Sequence, residues 1–509
     1  MAIWRGFAVD LGASNGRTVI GEYDGERLFL REIKRFQNHP VGLGDTLYWD
    51  FLNLFSEIQE SLVKACSEGL IPSTVGVDTW GVDFGLIDEY GELVANPRHY
   101  RNPQHGSVLD EVFARVPAKS LYEQTGIQIL QINTVFQLKY LCLHRPELLE
   151  RSRHLLLFPD LINYFLTGEM ASEFTNATTT QLFNPRLGTW AYDLIDRLGL
   201  PKDLFLPVVP PLRKLGSVRK KLVTGTAAGR MDVVNVGEHD TASAVLAVPY
   251  ETDDFVYISS GTWSLVGVLS NEPIITDLTR IHNFTNEGGV GGVYRLLKNV
   301  MGLWILQEVR RMFLRSGVNC DFVDLMQAAK EAPALKTLFD PDAVDFLAPE
   351  DMIAAIQDYS RRTGQPVPDS PGEISRAVLE SLALKYRWVI ERLEEITGKS
   401  LPIIHIVGGG VKNTVLCQWT ADATNRIVIA GPVEATVIGN LCAQLIASNE
   451  LSGISDIPAL VDRSFEKKVY RPTSQREGWD AAYERFVRLL KMHHSLQSDS
   501  ELANSAHDT

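Results

Sequence analysis

Apolar residues along this chain fall into short continuous runs that end on small or acidic residues, the pattern of buried strands feeding turns. Residues 6–36, GFAVDLGASNGRTVIGEYDGERLFLREIKRF, read as strand, glycine-rich turn, strand, turn, strand. A shorter stretch at 254–273, DFVYISSGTWSLVGVLSNEP, reads as strand, a tight turn at Ser260-Gly261-Thr262, then strand. The two begin about 250 residues apart and form a weak internal repeat of pattern. Strand character also marks 74–94, with a turn at Glu89-Tyr90-Gly91, and IIHIVGGGVKN at 403–413, a buried strand running into glycines. Helical periodicity marks 52–69, 134–152 with a proline interruption, 300–316 and 373–397. The four prolines of 199–216 predict an extended connection. Strands and helices mixed in this way predict α/β layers.

A chain of 509 residues exceeds one ordinary core. The pattern divides it into a first domain over 1–250, a second over 251–485 and a polar, frayed tail over 486–509, with a hinge at 248–254. Apolar and charged fractions of 45% and 22% are those of an average soluble protein. A net charge of −14 without a basic block argues against nucleic acid or an anionic membrane as partner. Any phosphate must therefore be held locally, by backbone N–H groups and a metal. Five scattered cysteines, at 66, 142, 320, 417 and 442, show no metal spacing and suit a reducing compartment. With no signal peptide and no apolar run of about 18 residues, the expected location is the cytoplasm.

Four segments carry candidate chemistry. In AVDLGASNGR, Asp10 ends a strand, and Ala13, Ser14, Asn15, Gly16 and Arg17 make a turn of little bulk whose N–H groups can approach an anion. Asp10 beside such a turn suits a hydrated Mg²⁺, which needs few protein ligands. In SSGTWS, the hydroxyl of Thr262 can reach a phosphate oxygen. In HIVGGGVKN, the glycines 408–410 offer flat backbone to a base, without the dinucleotide fingerprint. In NVGEHDTASAV, a buried run delivers His239 and Asp240 to the start of a helix of small residues. Each turn also fits a plain hairpin, and Asp240 also fits an N-cap. The ITGKS segment at 396–400 is not a P-loop, because Leu393 stands where the first glycine is needed. G-x-S-x-G and H-E-x-x-H are absent.

Taken together, AVDLGASNGR, VGVDTWGVDFGLID, GEHDTASAV, SSGTWSL and IVGGGVKN resemble the FGGY carbohydrate kinases of the actin-like ATPase superfamily, over about residues 6–470. The resemblance implies two ribonuclease-H-like domains with an active-site cleft between them, binding ATP and a ketose, with Mg²⁺ as cofactor. It implies that Ala13, Ser14, Asn15, Gly16, Arg17 and Thr262 contact ATP phosphates, that Gln307 lies on the nucleotide side, and that Gly409 lines the adenine pocket. Asp10 is the implied metal residue. Gly81, His239, Asp240, Thr241 and Asn299 are implied on the sugar side, with Asp240 as the catalytic base that takes the proton of the O1 hydroxyl. Implied partners are small molecules only, in a monomer or homodimer. Kinases for other ketoses or polyols share the ATP loops and are the near alternatives. A non-catalytic actin-like nucleotide switch is the distant one.

Overall fold

The computed structural model describes residues 3–223, 231–318, 320–347, 349–473 and 476–505. They form two compact units. The first comprises Met1–Glu251, Val268–Lys298 and Glu434–Glu466; the second comprises Thr252–Gly267, Asn299–Val433 and Lys467–Thr509. The chain leaves the first unit at Glu251, close to the expected hinge, but it returns twice, so the units are not two consecutive halves.

The first unit is built on a six-stranded sheet of β1 (Trp4–Leu11), β2 (Asn15–Tyr23), β3 (Leu28–Gln37), β4 (Thr74–Thr79), β5 (Arg213–Ser217) and β6 (Asp232–Asn235), in the order β5-β6-β4-β1-β2-β3. Strands β6, β4 and β1 are parallel, while β2, β3 and β5 are antiparallel to their neighbours. Strand β4 is buried at every position, as a central parallel strand must be. One face of β1 presents Phe7, Val9 and Leu11 to the core that Phe51, Leu54, Ile58 and Leu62 of helix Phe51–Ser67 share. The other face is cut down to glycine, and helix Ala435–Ala447 lies on it. A side chain at Gly76 would stand 2.5 Å from Asn440, and one at Gly21 would stand 2.6 Å from Leu441. Period-two alternation puts Asp10 and Asp78 on this helix-covered face with Gly6 and Gly76.

The second unit contains β7 (Phe255–Ser260), β8 (Trp263–Ser270, through Gly267), β9 (Ile403–Val407), β10 (Ile427–Ala430) and β11 (Lys468–Tyr470). Their order is β8-β7-β9-β10-β11, with β7, β9 and β10 parallel and both flanks antiparallel. This is the plan of β2-β1-β4-β6-β5. The repeat legible in two hairpins is thus a repeat of sheet topology.

Two local expectations are corrected. The proline-rich connection ends in β5, an edge strand of the first sheet, and holds a short 3₁₀ turn at Lys202–Leu204 and a strand at Val208–Val209. The polar tail is helical, part of a helix from Arg476 to Ser505, with 506–509 outside the described residues. Among the described residues all five cysteines are free thiols, and no helix is long and apolar enough to cross a membrane.

Candidate active site

Three parallel strands of the first unit end on one set of carboxylates. Asp10 on β1 and Asp78 on β4 are register partners. Beyond β6 the chain makes one more bridge, Thr79 to His239, which brings Asp240 alongside. Asp240 then opens helix Asp240–Leu246. Ligand sites of open α/β sheets lie at these carboxyl ends.

The carboxylates are held differently. Asp10 lies in the fork of Arg17, whose Nε and Nη2 stand 2.7 and 2.6 Å from Oδ2. Arg17 also pairs with Glu434 through Nη1. Its donors therefore face two carboxylates, where sequence reasoning placed them toward phosphates. Asp78 is fully buried. Asn440 donates to its Oδ2 at 2.6 Å, and Oδ1 has no hydrogen-bond partner. Burial, then the nearby Asp10, pushes the Asp78 carboxyl well above its ordinary range.

Asp240 keeps 29% of its side chain exposed. Burial of the rest raises its carboxyl, and Asp10 adds to the rise, while His239 and Thr241 oppose it. Both side-chain contacts fall on one oxygen. Thr241 Oγ1 donates to Oδ1 at 3.1 Å, and His239 Nε2 stands 3.4 Å from the same atom. Oδ2 is left for a ligand. His239 is anchored in turn, its backbone N–H donating to Thr175 Oγ1 at 3.1 Å and its Nδ1 standing 3.0 Å from Arg295 Nη2.

Among the described residues no group of three His, Cys, Asp or Glu side chains could cage a metal ion. The unpartnered buried oxygen of Asp78 beside Asp10 fits a hydrated Mg²⁺ carried on phosphates, which needs one or two carboxylates.

The glycine turn preceding Arg17 is partly exposed from Gly12 to Asn15. It is closed by Gly12 N–H donating to Asn15 O at 2.9 Å, and Asn38 braces it by donating to Gly12 O at 2.8 Å. Gly16 is buried, and a side chain there would meet the Phe36 ring at 2.3 Å, so packing alone requires this glycine.

After β4 the chain turns through Trp80–Asp83. Val82 adopts φ +69, costly for a β-branched residue. Its N–H donates to Thr179 Oγ1 at 3.0 Å, and its carbonyl accepts from Thr134 Oγ1 at 2.6 Å. Gly81 packs on the same Thr179, 2.9 Å from where a side chain would begin. Asp83 is fully buried and accepts four N–H groups, from Trp49, Trp80, Tyr100 and Gln137. Burial nevertheless lifts its carboxyl to about 7. Trp49 and Trp80 stack at 3.9 Å above it.

In the second unit, the turn after β7 meets the glycine run after β9. A side chain at Gly410 would stand 2.0 Å from Ser260 Oγ, and one at Gly408, at φ +86, would stand 3.0 Å from Ser260 O. Gly409 between them is exposed, with open space where a side chain would project. Leu303 and Trp304 donate backbone N–H groups to Gly261 O and Thr262 O, both at 3.1 Å. They start helix Trp304–Arg315 at this turn, so Gln307 in its first turn joins the Thr262 neighbourhood. Asn299 lies half-buried on strand Tyr294–Met301, also within the second unit.

Sequence reasoning missed Asp78 and Asp83, though both stand in the quoted VDTWGVDF run. It missed Glu287 and Arg295 altogether. They face each other across the hairpin Thr285–Gly288/Tyr294–Met301. The signal was present: four glycines within 288–292 between β-rich runs mark a hairpin turn, which would have paired them.

Comparison with known proteins bears on the family and the fold. The N-terminal domain model of the FGGY family of carbohydrate kinases matches residues 6–247, and the C-terminal domain model matches 256–448. A rhamnulokinase of Bacteroides thetaiotaomicron is 40% identical over 95% of this chain and 99% of its own length. One from Oceanobacillus iheyensis is 40% identical over 91% and 97%. The fold is similar to that of gluconate kinase from Lactobacillus acidophilus, with TM-score 0.78 at 16% identity over 97% of this chain and 98% of that one. It is also similar to glycerol kinase from Plasmodium falciparum, with TM-score 0.75 at 14% identity over 96% and 98%. Two sheets of one topology, a carboxylate set at parallel strand ends and family models covering both regions lead to one assignment: the chain belongs to the FGGY family of carbohydrate kinases.

Proposed function

We propose that this chain phosphorylates L-rhamnulose at O1 with ATP, in the cytoplasmic breakdown of L-rhamnose. The single observation that carries the chemistry is Asp240, whose Oδ1 accepts from Thr241 and lies 3.4 Å from His239 Nε2, while Oδ2 takes neither contact. The name shared by relatives about 40% identical over most of the chain supports the choice of ketose.

Phosphoryl transfer passes through a loose transition state, so the protein works by positioning and by neutralising charge. Asp240 Oδ2 accepts the O1 hydroxyl hydrogen and takes the proton as the oxygen attacks. The raised carboxyl moves this base toward working pH. Thr241 reads a neighbouring hydroxyl while steadying Oδ1, and His239, Gly81 and Asn299 line the sugar. The Ala13–Gly16 turn and Thr262 supply donors to the ATP phosphates, with Gln307 and exposed Gly409 toward the nucleoside. Arg17 acts here by holding Asp10. Asp10 and Asp78 are the residues that would hold hydrated Mg²⁺, whose part is to neutralise phosphate charge.

The test is ADP release with Mg-ATP against L-rhamnulose, L-fuculose, L-ribulose, D-xylulose and glycerol. The expected result is a clear preference for L-rhamnulose and a product carrying phosphate on O1. Preference for another acceptor keeps the kinase and overturns the sugar. No acceptor-dependent ADP, from folded protein that binds ATP, overturns the proposal.

A further inference from the structure

Arg295 is a fully buried cation whose hydrogen bonds and ion pair lie inside the first unit. Its Nε donates to Gly288 O at 2.9 Å. Its Nη2 stands 3.2 Å from Glu287 Oε2, the cross-strand partner, and is hydrogen-bonded to His239 Nδ1 at 3.0 Å, while Nδ1 itself stands 3.3 Å from the same Glu287 oxygen without a hydrogen bond to it. A guanidinium has donors only and does not lose its proton in proteins. The hydrogen bond at 3.0 Å therefore needs a lone pair on Nδ1, and the competing arrangement is a protonated Nδ1 turned to Glu287 Oε2 at 3.3 Å. A proton on Nδ1, in the other tautomer or in the imidazolium, would set N–H against N–H.

We infer that Arg295 is a positioning residue that fixes His239 as the Nε2–H tautomer and so decides which oxygen of Asp240 is free. With Nδ1 committed to Arg295, the ring proton sits on Nε2. Asp240 Oδ1 is the carboxylate oxygen within ion-pair distance of Nε2, at 3.4 Å. Thr241 Oγ1 reaches the same oxygen at 3.1 Å. The ring is also fixed from behind: Thr175 Oγ1 donates to Glu173 Oε2 at 2.6 Å and so offers its lone pair to His239 N–H. A chain of buried contacts from the hairpin therefore reserves Asp240 Oδ2 for the sugar hydroxyl. In the other tautomer Nε2 would be an acceptor facing a carboxylate. Oδ1 would then lose a donor, and the carboxylate would be free to rotate. The positioning of Asp240 rests on the reading of that residue as the base; the tautomer does not.

The experiment is a long-range ¹H–¹⁵N NMR spectrum of the full chain with ¹⁵N-labelled histidine, His239 being assigned by its disappearance in His239→Asn. In the wild type, an unprotonated-type shift at Nδ1 and a protonated-type shift at Nε2 are expected. In Arg295→Met, which removes the donor, the two shifts should move toward each other as the tautomers mix. Its kcat should fall about tenfold or more, with the KM for ATP unchanged. Arg295→Lys, which keeps a cationic donor, should restore the tautomer and part of the kcat. A proton on Nδ1 in the wild type overturns the inference, and this reading stands even where Arg295→Met fails to fold. A folded Arg295→Met with wild-type shifts also overturns it. Full turnover in Asp240→Asn beside the expected wild-type shifts would overturn only the role of Asp240 as base.

Discussion

Asp83 shows how one residue can be placed by its neighbours against its own preference for water. Four N–H donors converge on its carboxylate, yet burial still lifts it to about 7 from 3.8. Between those two values the folded state keeps the proton and the unfolded state does not. Stability from this group is thus full below the unfolded value and is lost as pH rises through the folded one, by up to ~1.4 kcal/mol per pH unit. Asp83→Asn cannot titrate, and its amide sets a donor against donors. It should cost ~1–3 kcal/mol at pH 5 and less at pH 8. Urea denaturation at both pH values checks this; an equal or larger loss at pH 8 contradicts it. Composition could not show such a hub. The sequence makes Asp83 legible as part of a motif, but not the convergence on it of Trp49, Tyr100 and Gln137, which stand 34, 17 and 54 residues away.

At the scale of elements, the base is aimed by helix packing. Helix Asp240–Leu246 is only seven residues long, and Ala435–Ala447 crosses it at Gly439. A side chain at Gly439 would stand 1.8 Å from Ser243 O, a backbone atom that cannot swing aside. Gly439→Ala must therefore push the short helix and Asp240 with it. Thermal unfolding should show a loss of ~1–3 kcal/mol, and kcat should fall while ATP still binds. Unchanged stability and turnover would contradict the claim that this crossing sets Asp240. The train of small residues after Asp240 was legible as room for close packing. Its partner helix, about 200 residues on, was not, because helical periodicity names a face and not what covers it. The hairpin holding Glu287 and Arg295 escaped for a simpler reason: its turn signal is local, but the meaning of its buried charges depends on His239, 56 residues before Arg295.

The whole molecule repeats one sheet plan twice, and the two hairpins that expose it were readable from alternation and small turns. The division into units was less readable. The chain passes between them at 267/268 and 298/299, each inside a strand, where no composition shift marks a boundary. The carboxyl ends of the parallel strands belong to the same repeated plan, but only the first unit places Asp10 and Asp78 in register there, with Asp240 alongside. The measurement that tests this account most directly is single-turnover phosphorylation of L-rhamnulose by the wild type and by Asp240→Asn, with ATP binding followed in parallel. The account predicts a loss of about 10²–10⁴-fold in the phosphoryl-transfer rate with ATP affinity kept. Transfer by Asp240→Asn within about threefold of the wild-type rate would contradict it.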